Sequence, residues 1–437
     1  MEKINLFPMD WNNNQHWVIK DKKEFTWTEG MFHKYILDKY KLDISINFID
    51  SIKKLKELST NNKKYNLFIK FYDLSHIIDY GLLDYLFSNP DNHFLLNDIN
   101  SGRCKFILSS LTELTHYSYF NRFNEFQEQL KKYNISENKI TIFDFMNNLD
   151  SANKKFNVDF NFKYFNWLMV SWEYYVNLPK TQLNFGNRDY IRDKHYISLN
   201  KSVTKQHRPF LLHYLWKNNF LGKGKVSFFY EKKDRGEIEK SLIESYQPFY
   251  RINPTEVKEF LEWVENNPLS VDVPLDKLQE YRIQYNSEST APNQIFNEET
   301  DKAYLETYFN IMTETCFIET DSREQLDYYL NERNILPINA FQPFIVLNGN
   351  NHMKELKKLG FKTFHPHIDE TYDSIENTAI RFYLITKEIK RLCNMSKQEI
   401  HDWYWGMEEI YKHNYNHLHN VFYPTQIKGF FDEFIYE

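Results

Sequence analysis

The sequence predicts an α/β protein built from two Rossmann-like domains, on three observations. Lys105-Phe106-Ile107-Leu108-Ser109-Ser110, a helical pattern over Phe120 to Tyr133, and Lys139-Ile140-Thr141-Ile142-Phe143 read as strand, helix, strand at the spacing of a parallel βαβ unit. A second set of alternating elements starts near residue 200. Residues 330–381 then read as a polar switch, a helix, a buried strand at Phe341 to Leu347, a helix and a short strand at Gly360 to Phe364.

The length of 437 residues suits two domains better than one. Hydrophobic residues make up 42% and aromatics 18%, enough for large cores. Only 11 residues are glycine, far below the usual ~7%. Neither GxGxxG nor GxxxxGK[ST] occurs, so a glycine-rich phosphate loop is not expected. The weight on Asn, Lys, Ile, Tyr and Phe points to an AT-rich genome, viral or bacterial. Net charge is −6, against the basic surplus of a protein living on bare nucleic acid. Three scattered cysteines with no CxxC pair fit a reducing compartment. No apolar run reaches ~18 residues and no leader pattern opens the chain, so a cytoplasmic protein without membrane insertion is expected.

Taken in order, Ile49 to Leu58 reads as a helix and Tyr65 to Phe71 as a strand, within a mixed first 60 residues. After the βαβ unit, Trp167 to Tyr175 and Tyr196 to Leu199 are strand candidates. Arg208 to Asn219 has helical periodicity stopped by Gly222-Lys223-Gly224, and Lys225 to Tyr230 is a strand. An irregular insertion is expected from 266 to 298. Tyr308 to Thr313 is a strand and Arg323 to Leu330 a short helix or loop. Ile375 to Leu392 is helical, and 396–420 reads as one long amphipathic helix. In such sheets ligands bind beyond the carboxyl ends of the strands. Glu113, Ser227, Glu314 and Glu332 all fall at or just after a predicted strand or switch.

The order of motifs resembles a GT-B glycosyltransferase of the fucosyltransferase-like and exostosin-like kind, as found in phages and uncultured microbes. The residues that carry the resemblance are Asn331-Glu332-Arg333-Asn334 leading into Pro343-Phe344-Ile345-Val346. Leu356, Leu359 and Gly360 to Phe364 follow, then Asp369-Glu370-Thr371-Tyr372-Asp373 and Arg381. Upstream, Leu199-Asn200-Lys201, His207-Arg208, Val226-Ser227 and Met312-Thr313-Glu314-Thr315 complete it. It covers residues 195–420 by motif and 1–190 only by type. Arg333 stands where Lys is usual, Asn334 where Thr or Ser is usual, and Leu336 where a second Lys is common.

The resemblance implies two domains facing across a cleft: an acceptor domain over 1–195 and a nucleotide-sugar domain over 196–410. A tail over 411–437 would cross back to the first. It implies sugar transfer from a nucleotide-sugar donor to a hydroxyl of a glycan, lipid, protein or modified DNA base, a hydroxymethylated base among them. The donor-binding residues would be Lys201, His207, Arg208, Ser227, Glu314, Thr315, Glu332, Arg333 and Asn334. Of these, Arg333, Arg208 and Lys201 would clamp the diphosphate, and Glu332 would accept hydroxyl hydrogen bonds. Glu113 is the first candidate base and Asp144 the second. A solvated helix-start carboxylate is the plainer reading of Glu113, and an exposed charge pair that of Glu332-Arg333.

No D-x-D triplet occurs; glycosyltransferases that hold the donor through a divalent metal usually have one, so the resemblance implies a metal-independent reaction with no cofactor. His365, His367, His413, His417 and His419 read as core or surface histidines rather than ligands. Trp403-Tyr404-Trp405 reads as helix packing. The alternative function is a non-catalytic structural or binding protein that keeps the GT-B shell.

Overall fold

The computed structural model describes residues 2–11, 17–19, 34–71, 74–110, 122–144, 153–154, 157–165, 187–200, 205, 207–244, 252–271, 298–314, 317 and 332–436. Of some of these, Asp144 and Glu332 among them, the backbone alone is described. The chain divides into two units, Met1–Tyr174 with Val421–Glu437, and Tyr175–Asn420.

The first unit is built on a seven-stranded sheet of β1 (Glu2–Trp11), β2 (Trp17–Ile19), β3 (Ile44–Phe48), β4 (Tyr65–Phe71), β5 (Cys104–Ser110), β6 (Ile140–Asp144) and β7 (Asn161–Tyr164). All pairings are parallel except β1 with β2. Strands covered on both faces need apolar residues at successive positions. Leu67-Phe68-Ile69 in β4 and Phe106-Ile107-Leu108 in β5 meet that need, and all six are buried.

The helix Tyr423–Asp432 packs on this sheet, as expected of a C-terminal helix that returns to the first domain. Phe430 lies 4.6 Å from Phe165 and 4.9 Å from Phe143, ring centre to ring centre, and also meets Phe68 and Phe434. Asn66 Nδ2 donates to the Phe434 carbonyl at 3.2 Å, and the Lys105 backbone N–H donates to Tyr436 Oη at 2.8 Å.

The second unit is built on β8 (Lys194–Asn200), β9 (Gly224–Phe228), β10 (Thr307–Thr313) and β11 (Phe344–Leu347), ordered β11-β10-β8-β9 and parallel throughout. β10 and β11 are buried at every position. From β8 the chain moves outward to β9, then crosses back to β10 and outward again to β11. The direction therefore reverses between β8 and β10, which makes their carboxyl ends the topological switch point of the sheet. Together these elements form the expected α/β architecture: two Rossmann-like sheets, parallel but for β1 with β2, with a C-terminal helix on the first.

Three expectations about elements are corrected. Residues 2–11 and 44–48 are strands, where the first 60 residues had read as mixed apart from one helix. Pro8 obscures β1 because proline is a poor central-strand residue. It is accommodated where β1 changes partner: pairing with β3 ends at Leu6 and pairing with β2 begins at Met9. Gly360 to Phe364 is not a strand. Its backbone groups go to side chains instead. Asn414 accepts from Lys362 N–H and donates to Lys362 C=O, both at 2.8 Å, while Glu370 takes the Phe364 N–H at 2.6 Å. Residues 396–420 form two helices, Lys397–Trp405 and Glu408–His417, which break at Gly406-Met407, followed by a π-turn over Leu418–Phe422. The strand candidate at Trp167 to Tyr175, the segment Arg323 to Leu330 and most of the expected insertion at 266–298 lie outside the described residues.

Candidate functional site: the carboxyl edge of the second sheet

Two helices begin beside the switch point. His207–Lys217 follows β8, and Glu332–Asn339 follows β10. Their first turns carry N–H groups that find no partner within the helix, together with the positive ends of the helix dipoles. His207 and Arg208 open the first helix; Arg333 and Asn334 stand in the first turn of the second.

These residues converge on the last residue of β10 and the one after it. Arg208 Nη2 donates to the Thr313 carbonyl at 3.4 Å, and Arg333 Nη1 donates to the same carbonyl. His207 Nε2 donates to the Glu314 carbonyl at 2.8 Å. The imidazole is fully buried, and burial first, with the Arg208 charge second, holds its pKa well below the ordinary histidine value. It is therefore neutral, with its proton on Nε2. Arg208 is 2% exposed and Glu314 0%, while Arg333 is half-buried.

A directed chain of hydrogen bonds sets the Glu314 side chain. Asn348, just past β11, donates from Nδ2 to His352 Nδ1 at 2.7 Å. His352 Nε2 lies 2.8 Å from Asn334 Oδ1, and Asn334 Nδ2 donates to Glu314 Oε1 at 3.4 Å. Burial pushes the His352 pKa down to about 3, so one ring nitrogen donates and the other accepts. The Asn348 amide nitrogen can only donate, which places the imidazole proton on Nε2, toward Asn334.

A second chain ties the strand ends together. Thr313 Oγ1 donates to Asn200 Oδ1 at 2.6 Å, Asn200 Nδ2 to Ser198 Oγ at 3.0 Å, and Ser198 Oγ to the Ile311 carbonyl at 2.9 Å. Asp373 accepts from the N–H groups of Met353 at 2.9 Å and Lys354 at 3.1 Å, at the start of the short helix His352–Lys358. Burial raises the Asp373 pKa, and those two N–H bonds oppose the shift.

Of the residues singled out in the sequence, His207, Arg208, Glu314, Arg333 and Asn334 come together here. Ser227 lies on neighbouring β9, where its hydroxyl takes the Val271 N–H at 2.9 Å and so anchors the 269–271 segment. Lys201, Thr315 and Glu113 lie outside the described residues, as do the side chains of Glu332, which opens its helix, and of Asp144, which closes β6 beside Tyr164. Sequence reasoning did not assign roles to Asn200, Thr313, Asn348 and His352. The signal for the last two was the polar run Asn348-Gly349-Asn350-Asn351-His352 directly after a buried strand. Arg381 is spent on carbonyls, those of Ile375 at 2.7 Å, Glu376 at 2.9 Å and Phe317 at 2.8 Å. It thereby holds Phe317, whose ring lies 5.4 Å from the His207 imidazole.

Leu336 is 6% exposed and packs in a cluster with Ile197, Ala303, Tyr304 and Ala340. The histidines of the tail bond to oxygen acceptors: His413 to Gly360 C=O at 3.0 Å, His417 to Leu359 C=O at 2.7 Å, and His419 to Asn339 Oδ1 at 2.7 Å. Among the described residues no His, Cys, Asp and Glu group is arranged to hold a metal ion. Trp403 donates to His367 C=O at 2.8 Å and Tyr404 is buried, so this aromatic cluster is packing, as expected. Among the described residues, no helix is long and apolar enough to cross a membrane.

No protein-family model matches the chain, and no curated protein sequence does. Among solved structures, the N-terminal domain of Candida albicans trehalose-6-phosphate phosphatase is similar over 99% of this chain and 96% of its own, at 8% identity and a TM-score of 0.45. The apo structure of OtsA is similar over the whole of both chains at 9% identity and a TM-score of 0.44. A putative UDP-N-acetylglucosamine 2-epimerase from Listeria monocytogenes covers 99% of this chain and 97% of its own at 9% identity and a TM-score of 0.39. Likenesses of this depth bear on no activity, ligand or partner.

Proposed function

We propose that the chain is a glycosyltransferase of the fucosyltransferase-like and exostosin-like kind. It would move a sugar from a nucleotide-sugar donor to an acceptor hydroxyl, with the donor's diphosphate at the carboxyl edge of the second sheet. The observation that carries this reading is the meeting of Arg208 and Arg333 at one carbonyl, that of Thr313, at a topological switch point where two helices begin. Two guanidinium groups and two helix N-termini make a positively polarised edge suited to a diphosphate, which gains negative charge as the nucleotide leaves.

In this reading Arg208 and Arg333 bind the phosphates, and Lys201, Thr315 and Asn334 are proposed as further donor-binding residues. Glu314, turned by Asn334, accepts hydrogen bonds from ribose or sugar hydroxyls, and Glu332 does the same from the second helix. His207 stays neutral and fixes the segment after β10; Ser227 shapes the neighbouring wall. The base on the acceptor hydroxyl is Glu113 or Asp144, in the domain proposed over 1–195, with the donor domain over 196–410 and the tail over 411–437. The cations of the edge are side chains, so the proposed reaction needs no added metal. The acceptor is a glycan, lipid, protein or hydroxymethylated DNA base.

Titration with UDP, GDP, CMP and their sugars by calorimetry tests the proposal. One nucleotide should bind at micromolar levels, and Arg333→Ala should weaken it. Binding of none, with no donor hydrolysis, overturns the reading in favour of a non-catalytic GT-B shell.

A further inference from the structure

The helix His207–Lys217 carries its first turn at the proposed donor edge and its last turn at a different feature, about 15 Å away at 1.5 Å per residue. There an open groove of about 560 Å³ runs between this helix with the turn after it and the helix Pro254–Asn266. Trp216 and Trp263 line it, together with Asn219, Glu256 and Glu259.

Both indoles are half-exposed. Trp216 is steadied by the rings of His213 at 5.8 Å and Phe260 at 5.6 Å. Trp263 makes no ring contact among the described residues, and neither indole N–H donates a hydrogen bond there. The Asn219 amide and the Glu259 carboxylate likewise have no side-chain partner among the described residues. Asn219 itself is fixed, in the left-handed region at φ 57°, by its N–H to the Trp216 carbonyl at 3.0 Å. The groove therefore presents two apolar ring surfaces and several unspent hydrogen-bonding groups of both kinds, on rigid elements.

We propose that this groove is a saccharide-binding site, separate from the donor edge and taking two or three neutral sugar units of a glycan chain. A pyranose has an apolar C–H face that covers an indole, and equatorial hydroxyls that both donate and accept. Ligand sites of this kind pair apolar walls with a few fixed polar groups. The charge balance disfavours an anionic ligand, and the shape of the groove separates a neutral sugar from a cation. Lys217 holds Glu256 at 2.7 Å, which among the described residues of the groove leaves the Glu259 carboxylate to accept from sugar hydroxyls. An aromatic cage for a quaternary ammonium would enclose its ligand; this groove is open.

The test is a panel of neutral oligosaccharides of two to six units (β-glucans, α-glucans, chitin oligomers, mannans) with choline as the cationic competitor. Binding to the full-length protein is followed by calorimetry and saturation-transfer NMR. One glycan class should bind, with Trp263→Ala weakening it at least tenfold and Glu259→Gln weakening it several-fold. Nucleotide binding at the other end of the helix should be unchanged in both variants, which separates this proposal from the one above. Trp263→Ala must keep the melting profile of the parent; if it does not, Trp263→Phe, which retains an apolar face of smaller area, should show a partial loss. No binding across the panel, binding of choline alone, or glycan binding indifferent to Trp263 and Glu259 overturns the proposal.

Discussion

Arg208 and Arg333 donate to the same acceptor, the carbonyl of Thr313 at the end of β10. They belong to different helices that flank the switch point, so their convergence is a property of the sheet order. Two like charges at one carbonyl repel, and an anion bound there relieves that repulsion while gaining charge-assisted bonds.

Arg333→Ala should therefore weaken nucleotide diphosphate binding by about 10- to 100-fold, the effect of one charged hydrogen bond of ~1.5–3 kcal/mol. Arg333→Lys should recover part of it, because an ammonium keeps the charge without the fork. Calorimetry with the best-binding nucleotide reads both. A loss that is equal in Lys and Ala variants would point to geometry over charge.

Inorganic pyrophosphate should raise the melting temperature of the parent protein, since a ligand of the folded state stabilises by mass action. At one hundred times its dissociation constant the gain is about 2.7 kcal/mol. The rise should be smaller in Arg333→Ala; thermal unfolding across a pyrophosphate series measures it.

Acid should destabilise the second unit through His352. Unfolded, this histidine takes up a proton near its ordinary value of 6.5; folded, it does so only at about 3. Between those values the unfolded state holds the extra proton, so stability falls as pH falls, by about 1.4 kcal/mol per pH unit for one such group. Above pH 6.5 the contribution is flat. His207, also held well below the ordinary value, acts in the same direction. His352→Gln should make the loss between pH 6.5 and 4 shallower by close to one proton in denaturant titrations.

Leu336→Lys should not improve donor binding. The side chain is packed with Ile197, Tyr304 and Ala340, and a buried unpaired ammonium is costly. A loss of about 3–5 kcal/mol in unfolding free energy is expected, as for other buried unpaired charges.

Phe430→Ala should cost the first unit about 3–5 kcal/mol, by leaving a cavity against Phe68, Phe143 and Phe165. Chemical denaturation with a near-ultraviolet probe measures it.

How much was legible in the sequence follows from where each element's partners lie. β4, β5, β6 and β10 could be read directly, because strands buried on both faces need unbroken apolar runs. β1 was hidden by Pro8, whose tolerance depends on a change of partner strand. Gly360 to Phe364 has a strand's composition, yet Asn414 and Glu370 take the bonds that a neighbouring strand would have made. In the candidate site, Glu314 could be named from its place at a predicted strand end and Arg333 from the charged edge of its segment, whereas His207 and Arg208 could be named only through the motif order that resembles the GT-B family. The chain from Asn348 through His352 to Asn334 could not, because its members belong to three separate segments and look like ordinary loop polarity.

The sequence by itself determined the α/β class, the two alternating sets of elements and the charged residues beside the strand ends, since local periodicity and burial dictate these. Only the tertiary structure decided that β8 and β10 are neighbours. That adjacency brings Arg208 and Arg333 to one carbonyl and makes Leu336 a core residue. The order of parallel strands depends on crossover connections over long stretches of chain, and no local pattern of residues records it.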